Sequence, residues 1–418
     1  MSIDMNLVPK KYIDHIDILL LLLSRITRSF AAGFIAIVIG LYYLYSLHLS
    51  NFHIGILFGV GAVITPLITA LFGRYADLFG RKKLLILSLF FLPVSLVIII
   101  ETTYYPLLIV SSALGGFGIA GGLVGGGVGS IVAPMQTALL AEKTDARNRT
   151  AIYSLFTMVS AFAGSIGALM SHIHSYMFLF YIALVLSIIS LLMVLPLKES
   201  FKPQNDVARS AVNKSKIKKE DKEDKKNSKN IIKKFIITGS LNGVSQGLIA
   251  PFLPIIFSEF FHLSNGSIGD LFSIGGIITA FAMLSTTYLT KKLGFVNFII
   301  ISRAISAVFV LLLPFSRIVI IAAICYLIYT PLRAVALPSQ QALMMTLVNE
   351  NSRASATGIN QTARLLPSSF ATTLTGYLID SYSLIFPFVL SFPINFANIY
   401  LYHYFFGKVP EANNKKSL

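Results

Sequence analysis

Long apolar runs constrain this chain more than any other feature. Twelve recur along its 418 residues, at roughly 21–45, 52–73, 83–101, 106–133, 150–171 and 176–197, then 235–258, 266–289, 296–315, 318–344, 354–378 and 383–406. A helix needs about 20 apolar residues to cross the hydrocarbon core of a bilayer. A transmembrane β-barrel would instead show short alternating segments. The composition agrees: 55% of residues are hydrophobic and 12% are charged, about half the charged share of a soluble domain. The expected fold class is an all-α membrane protein with twelve transmembrane helices.

The formal net charge of +16 does not point to nucleic acid, because its distribution follows the spans. With the Gly73–Lys83 connector placed inside, Lys143, Arg147, Arg149, the 198–234 segment, Lys291, Lys292, Arg353, Lys408, Lys415 and Lys416 also fall inside. Arg317 alone falls outside, which is the positive-inside pattern. The chain is therefore expected to be a multi-pass protein of the plasma membrane with both termini cytoplasmic. Its single cysteine, Cys325, excludes an internal disulfide. Lys10 and Lys11 precede an apolar run too long for a signal peptide. The 198–234 segment is rich in Lys, Glu and Asp without apolar periodicity. It reads as a solvated, partly helical linker, or as a contact for anionic membrane lipid.

An internal repeat divides the chain. His48-Leu49-Ser50-Asn51 with Ile54, Gly55, Leu57 and Phe58 returns as His262-Leu263-Ser264-Asn265 with Ile268, Gly269, Leu271 and Phe272. Pro134, Gln136, Ala138 and Leu139 return as Pro338, Gln340, Ala342 and Leu343, with Arg149 answering Arg353. Two six-helix halves in the same order imply a pseudo-two-fold axis along the membrane normal. The expected domains are 1–197 and 235–418, joined by 198–234.

The Gly73–Lys83 connector reads Gly-Arg-Tyr-Ala-Asp-Leu-Phe-Gly-Arg-Lys-Lys. Its G-x-x-x-D-x-x-G-R-K pattern, between the second and third spans, closely resembles the signature loop of major facilitator superfamily transporters. The resemblance covers nearly the whole chain outside the tails and linker. It implies two pseudo-symmetric six-helix bundles, with helices 1, 4, 7 and 10 lining a central cavity. It also implies a cytoplasmic latch that holds the outward-open state; Gly73, Asp77, Gly80, Arg81, Glu142 and Arg149 match those positions. The second-half counterpart, from Thr287 to Phe295, keeps Gly294 but has Lys291 where the Asp would stand, so the latch is one-sided. Simple positive-inside decoration is the competing reading of these charges.

A charge within a span costs roughly 2.5–3.5 kcal/mol on insertion scales and faces a cavity or a partner. Arg333 stands near the middle of the tenth span, with no Asp or Glu at comparable depth. It contacts substrate or gate, or it pairs with backbone oxygens. Arg364 on the eleventh span and Arg28 on the first divide between the same roles; Arg25 reads as reaching the cytoplasmic surface. Asn242 and Gln246 share a face of the seventh span, as cavity hydrogen-bonders or as helix–helix contacts. Tyr329 lines the cavity or packs. Arg303, on a peripheral span, is expected to snorkel or pair near the loop.

The Gly-rich fourth span lacks the Gly-Lys-Ser/Thr ending of a phosphate loop, and its small residues suit close helix packing. No metal-ligand spacing or nucleophile–base pair occurs within the spans. No enzyme activity, metal or cofactor is therefore expected. The resemblance implies a monomeric secondary transporter of a small-molecule substrate, and the deep arginines lean toward an anionic or polar organic solute. The alternative is a multidrug or metabolite exporter working as a proton-coupled antiporter, with protons as the candidate coupling ion. A membrane sensor would need an effector domain that this sequence lacks. The fifth span reads Gly164-Ser165-Ile166-Gly167-Ala168, without the Gly-Pro of the antiporter motif.

Overall fold

A computed structural model describes residues 10–118, 130–144, 149–197, 222–348 and 353–407. These residues form helices and connectors, with no strand among them. The first half holds α1 (Lys10–Leu41), α2 (Asn51–Phe79), α3 (Arg81–Glu101), α4 (Tyr105–Gly115), α5 (Ala133–Lys143), α6 (Arg149–Ala168) and α7 (Tyr176–Val194). The second holds α8 (Lys222–Gly247), α9 (Leu253–Phe261), α10 (Asn265–Leu293), α11 (Phe295–Leu312), α12 (Val319–Leu347), α13 (Arg353–Ser381) and α14 (Phe386–Phe406). Among the described residues nine helical stretches are long and apolar enough to cross a membrane. α13 and α14 are long enough, at 29 and 21 residues, but carry too many polar side chains to join that set.

Two expected spans are broken. α4 stops at Gly115 because Gly116 and Gly118 adopt φ of 63° and 79°, a left-handed turn open to glycine. A Cβ on Gly118 would stand 2.2 Å from the Cβ of Phe58. The continuous 106–133 helix of the sequence reading is thus two pieces, α4 and α5, with 119–129 outside the described residues. α8 likewise stops at Gly247, and α9 resumes after the short turn Ala250–Phe252, where Pro251 and Pro254 supply no N–H to a ladder. α1 and α8 also begin well ahead of their apolar runs, at Lys10 and Lys222.

The repeat is written into the backbone. His48 and His262, paired by the sequence repeat, both take φ of 52°, and they are the non-glycine residues with positive φ among those described. Gly80 and Gly294 open α3 and α11 with φ of 91° and 81° and extended ψ. A side chain would strain that conformation, which explains why Gly294 survives where the rest of its loop has diverged. Thr65 and Thr279 also match, each donating to the carbonyl four residues back, of Gly61 and Gly275.

Antiparallel helices place the start of α1 and the end of α14 on one face, here the termini face. The connectors after α1, α3, α6, α9, α11 and α13 lie on the opposite, distal face. Apolar packing differs between them. A core containing Phe34, Val38, Phe58, Phe252, Ile255 and Tyr326 draws on both halves of the chain, and Phe58 meets Phe252 edge-on at 5.8 Å between ring centres. Toward the termini face the core splits in two. One part, with Leu21, Leu85, Leu139 and Val194, belongs to the first half; the other, with Phe235, Val296, Leu343 and Phe406, belongs to the second. Among the described residues the halves share one apolar core distally and hold separate apolar cores toward the termini face.

Candidate functional site

Glycines set how closely the helices around the site approach. On α8, Gly239, Gly243 and Gly247 form a stripe at spacing four, facing α13. A Cβ on Gly243 would lie 1.9 Å from the carbonyl oxygen of Arg364, and one on Gly247 would lie 2.0 Å from that of Ser368. The first half repeats the device between α1 and α6. There Gly33 meets the Gly164 carbonyl, and Gly167 meets the Phe30 carbonyl, at 2.1 and 2.0 Å from the Cβ each glycine lacks. Small residues of this kind let membrane helices pack backbone to backbone. On α8 and α13 they bring the polar side chains of the two helices within reach of each other.

Arg333 is buried where α12 meets α8. Its Nη2 donates to the backbone oxygen of Asn242 at 3.0 Å and to the Asn242 side-chain oxygen at 3.3 Å. Its Nη1 donates to Ser245 Oγ at 3.4 Å, and the guanidinium stands 5.8 Å from the Tyr329 ring centre. Its Nε is buried without a partner. Arg364 on α13 donates to Gln246 Oε1 at 3.2 Å. Arg303 on α11 is another buried guanidinium of this half. Among the described residues no carboxylate lies within salt-bridge distance of any of the three. The sequence-predicted Arg333, Arg364, Asn242, Gln246 and Tyr329 therefore converge on one site in the second half.

Arg28 lies in the first half, buried, donating to Gln136 Oε1 at 3.2 Å. Gln136 and Gln340 correspond in the repeat, and so do Arg28 and Asn242. Each half thus ties its first span to its fourth through one guanidinium: α1 supplies it as Arg28, while in the second half α12 supplies it as Arg333. Arg25 lies half-buried, with its Nε buried and unpartnered.

Of the two expectations for Arg303, the structure shows pairing. It does not snorkel; it is 5% exposed. Its guanidinium donates to Gln340 Oε1 at 2.6 Å and to Asn398 Oδ1, and lies 4.7 Å from the Tyr402 ring centre. α11 is held to α12 and α14 by this contact, and the two amides satisfy the guanidinium where water cannot.

The proposed latch falls mostly on residues whose side chains are not described: Gly73, Asp77, Glu142 and Arg149. Gly80 and Arg81 are described, at the turn into α3. Nearby, Lys143 forms a 2.7 Å ion pair with Asp17, both nearly fully buried. Lys143 is expected from its place in the sequence as a loop cation, and it is instead buried on Asp17. Nothing in local spacing signals this pair, since 126 residues separate its members.

A family model described as Major Facilitator Superfamily matches the sequence over residues 21–372 and again over 235–418. The chain belongs to the major facilitator superfamily. Solved structures of similar fold include a D-xylose–proton symporter, 16% identical, covering 96% of this chain and 99% of its own, with a TM-score of 0.75. The nucleoside transporter NupG is 14% identical, covering 93% and 100%, with a TM-score of 0.71. The peptide transporter POT, solved with sulfate, is 14% identical, covering 98% and 99%, with a TM-score of 0.74. No curated protein sequence matches the chain. At these identities the likeness is one of fold. Membership of the superfamily, together with the apolar helices, makes this chain a multi-pass membrane transporter, and its substrate must be argued from its own residues.

Proposed function

We propose that this transporter moves a small anionic or polar organic solute across the plasma membrane by alternating access. The observation that carries the reading is Arg333, a buried guanidinium with neutral partners and an unpartnered Nε. A buried cation without a counter-ion is costly, and a substrate anion would relieve that cost while it occupies the site. Arg364 and Arg28 extend the basic lining. Asn242, Gln246 and Tyr329 supply neutral hydrogen-bonding groups.

Alternating access is supported by the division of the apolar cores, one shared distally and two separate at the termini face. With the termini face cytoplasmic, as Lys82, Lys83, Lys291 and Lys292 favour, this arrangement is inward-facing. The two moving bodies are 1–197 and 235–418, with 198–234 as their linker. The latch of Asp77, Arg81, Glu142 and Arg149 would close in the opposite state. The transporter works as a monomer, embedded in membrane lipid.

A thermal-shift panel of the purified protein against organic anions, neutral metabolites and lipophilic cations tests the reading, because a ligand stabilises by RT ln(1 + [L]/Kd). Stabilisation by anions that is lost in Arg333→Gln is the expected result. Stabilisation by lipophilic cations alone would overturn the anionic reading.

A further inference from the structure

α13 presents one continuous stripe toward the other half of the chain, and its two ends are treated differently. Near the distal face, Ser369, Thr373 and Gly376 on this stripe pack against α2. A Cβ on Gly59 would touch Thr373 Oγ1 at 2.1 Å, and one on Gly376 would touch the Asn51 carbonyl at 2.1 Å. Thr373 also donates to the Gly55 carbonyl at 3.1 Å. Spacings of three and four carry the same stripe back through Leu366, Thr362 and Ile359. There it lines a cavity of about 550 Å³ with Ala363 and with Ile236 and Ser240 of α8. The cavity is lined by α8 and α13 alone and is an open groove along the part of this stripe beyond its contact with α2.

The wall of this cleft is apolar in effect. Its two hydroxyls are turned back onto backbone, Ser240 Oγ donating to the Ala363 carbonyl at 3.0 Å and Thr362 Oγ1 to the Gly358 carbonyl at 2.9 Å. Beside it, toward the distal end, Arg364 holds Gln246, and Arg333 holds Asn242. A sugar-like solute would find few hydrogen-bond partners for its hydroxyls along such a wall.

We propose that the substrate is an amphipathic organic anion, its charged head held by Arg333 and Arg364 and its apolar body lying along the α8–α13 cleft. This rests on the anionic reading above and adds the requirement for an apolar body. A cleft of this size lies within the range of sites for drug-sized ligands.

The chain contains no tryptophan, so Ile359→Trp, or Ile236→Trp on the opposite wall should the first not fold, places a single indole in the cleft, excited selectively over the tyrosines. Straight-chain sulfonates from ethane- to octanesulfonate, titrated against the protein in zwitterionic nanodiscs, are permanently ionised probes. Alkyltrimethylammonium ions of equal length serve as the cationic series. The expected result is binding of the sulfonates alone, tightening about fourfold per methylene and weakened at least tenfold by Arg333→Gln or Arg364→Gln. Anion-dependent binding that ignores chain length overturns the apolar cleft and leaves the anionic reading standing. Length dependence shared equally by the cations, or unchanged in both arginine variants, reports partition into lipid and overturns the proposal. Binding that responds to neither charge nor length overturns both readings.

Discussion

Asp380, at the end of α13, caps the first turn of α2 from the other half of the chain. Its carboxylate accepts from the backbone N–H of Asn51 at 3.1 Å and of Phe52 at 2.8 Å, and from the Asn51 side-chain amide at 3.0 Å. A helix N-terminus leaves its first N–H groups unpaired and favours negative charge, so this acid supplies what α2 lacks. Three more polar contacts span the halves on the same face: His172 with Asp270 at 2.9 Å, Tyr45 with Ser258 at 2.9 Å, and Asn265 donating to Tyr176 at 3.1 Å. Together they close the distal side around the shared apolar core.

Removing the cap should shift the balance of states. A helix cap contributes about 1 kcal/mol, roughly a fivefold change in the ratio of two conformers. In a Cys325→Ala background, spin labels at His53 and Tyr382 would report the distal gap. Asp380→Ala should populate a longer distance than the parent protein, and Asp380→Asn should fall between them, since an amide oxygen still accepts. An unchanged distance distribution in Asp380→Ala would remove this carboxylate from the gate.

The glycine stripe on α8 makes a prediction about stability. Gly243→Ala would drive a methyl group into the Arg364 carbonyl, and neither backbone can move without displacing its helix. Overpacking of this kind costs about 1–3 kcal/mol or more. Gly358→Ala on α13 meets nothing within 4 Å and exchanges glycine for a better helix former, a gain of about 1 kcal/mol at most. Melting followed by size-exclusion chromatography should show a lowered midpoint for the first and an equal or raised midpoint for the second.

The fold was legible because hydrophobic run length and cation placement are local properties, and both recur between the halves, at an offset of 214 early in each half and 204 later. His48 and His262, or Gly80 and Gly294, could be paired by counting residues, and the backbone gives each pair one conformation. The second-half site was legible in part, since a deep arginine is conspicuous in an apolar segment. What failed were features that depend on partners distant in sequence. Arg303 reads as peripheral until Asn398 and Gln340 are brought to it, and the Asp380 cap needs α2, more than 300 residues away. The breaks after Gly115 and Gly247 were missed for a different reason. After Gly115, glycine suits both a close-packed helix and a left-handed turn, and packing of Gly118 against Phe58 decides between them; after Gly247 the break falls where Pro251 and Pro254 interrupt the ladder.

The Asp17–Lys143 pair should behave as a buried ion pair does. Lys143→Met leaves a buried carboxylate without its cation, at a cost of about 3–5 kcal/mol. Asp17→Leu combined with Lys143→Met removes both charges and should recover most of the loss. The check is a double-mutant cycle on melting midpoints, in which additive losses would show that the two groups do not interact.

Arg303 and Arg333 are both buried arginines of the second half, and their substitutions should separate. Two side-chain amides and an aromatic face satisfy the Arg303 guanidinium, so its loss removes contacts among α11, α12 and α14 and leaves Gln340 and Asn398 unpaired. Arg303→Lys cannot reproduce the forked geometry, and it should lower the melting midpoint while the surviving protein keeps its KM. Arg333 has an unpartnered Nε and neutral neighbours, so Arg333→Lys should melt close to the parent. Its transport in proteoliposomes should fall at least tenfold, because a point charge replaces the planar group offered to the solute. Equal loss of stability with unchanged KM in both variants would make Arg333 a second structural arginine and would transfer the substrate role to Arg364.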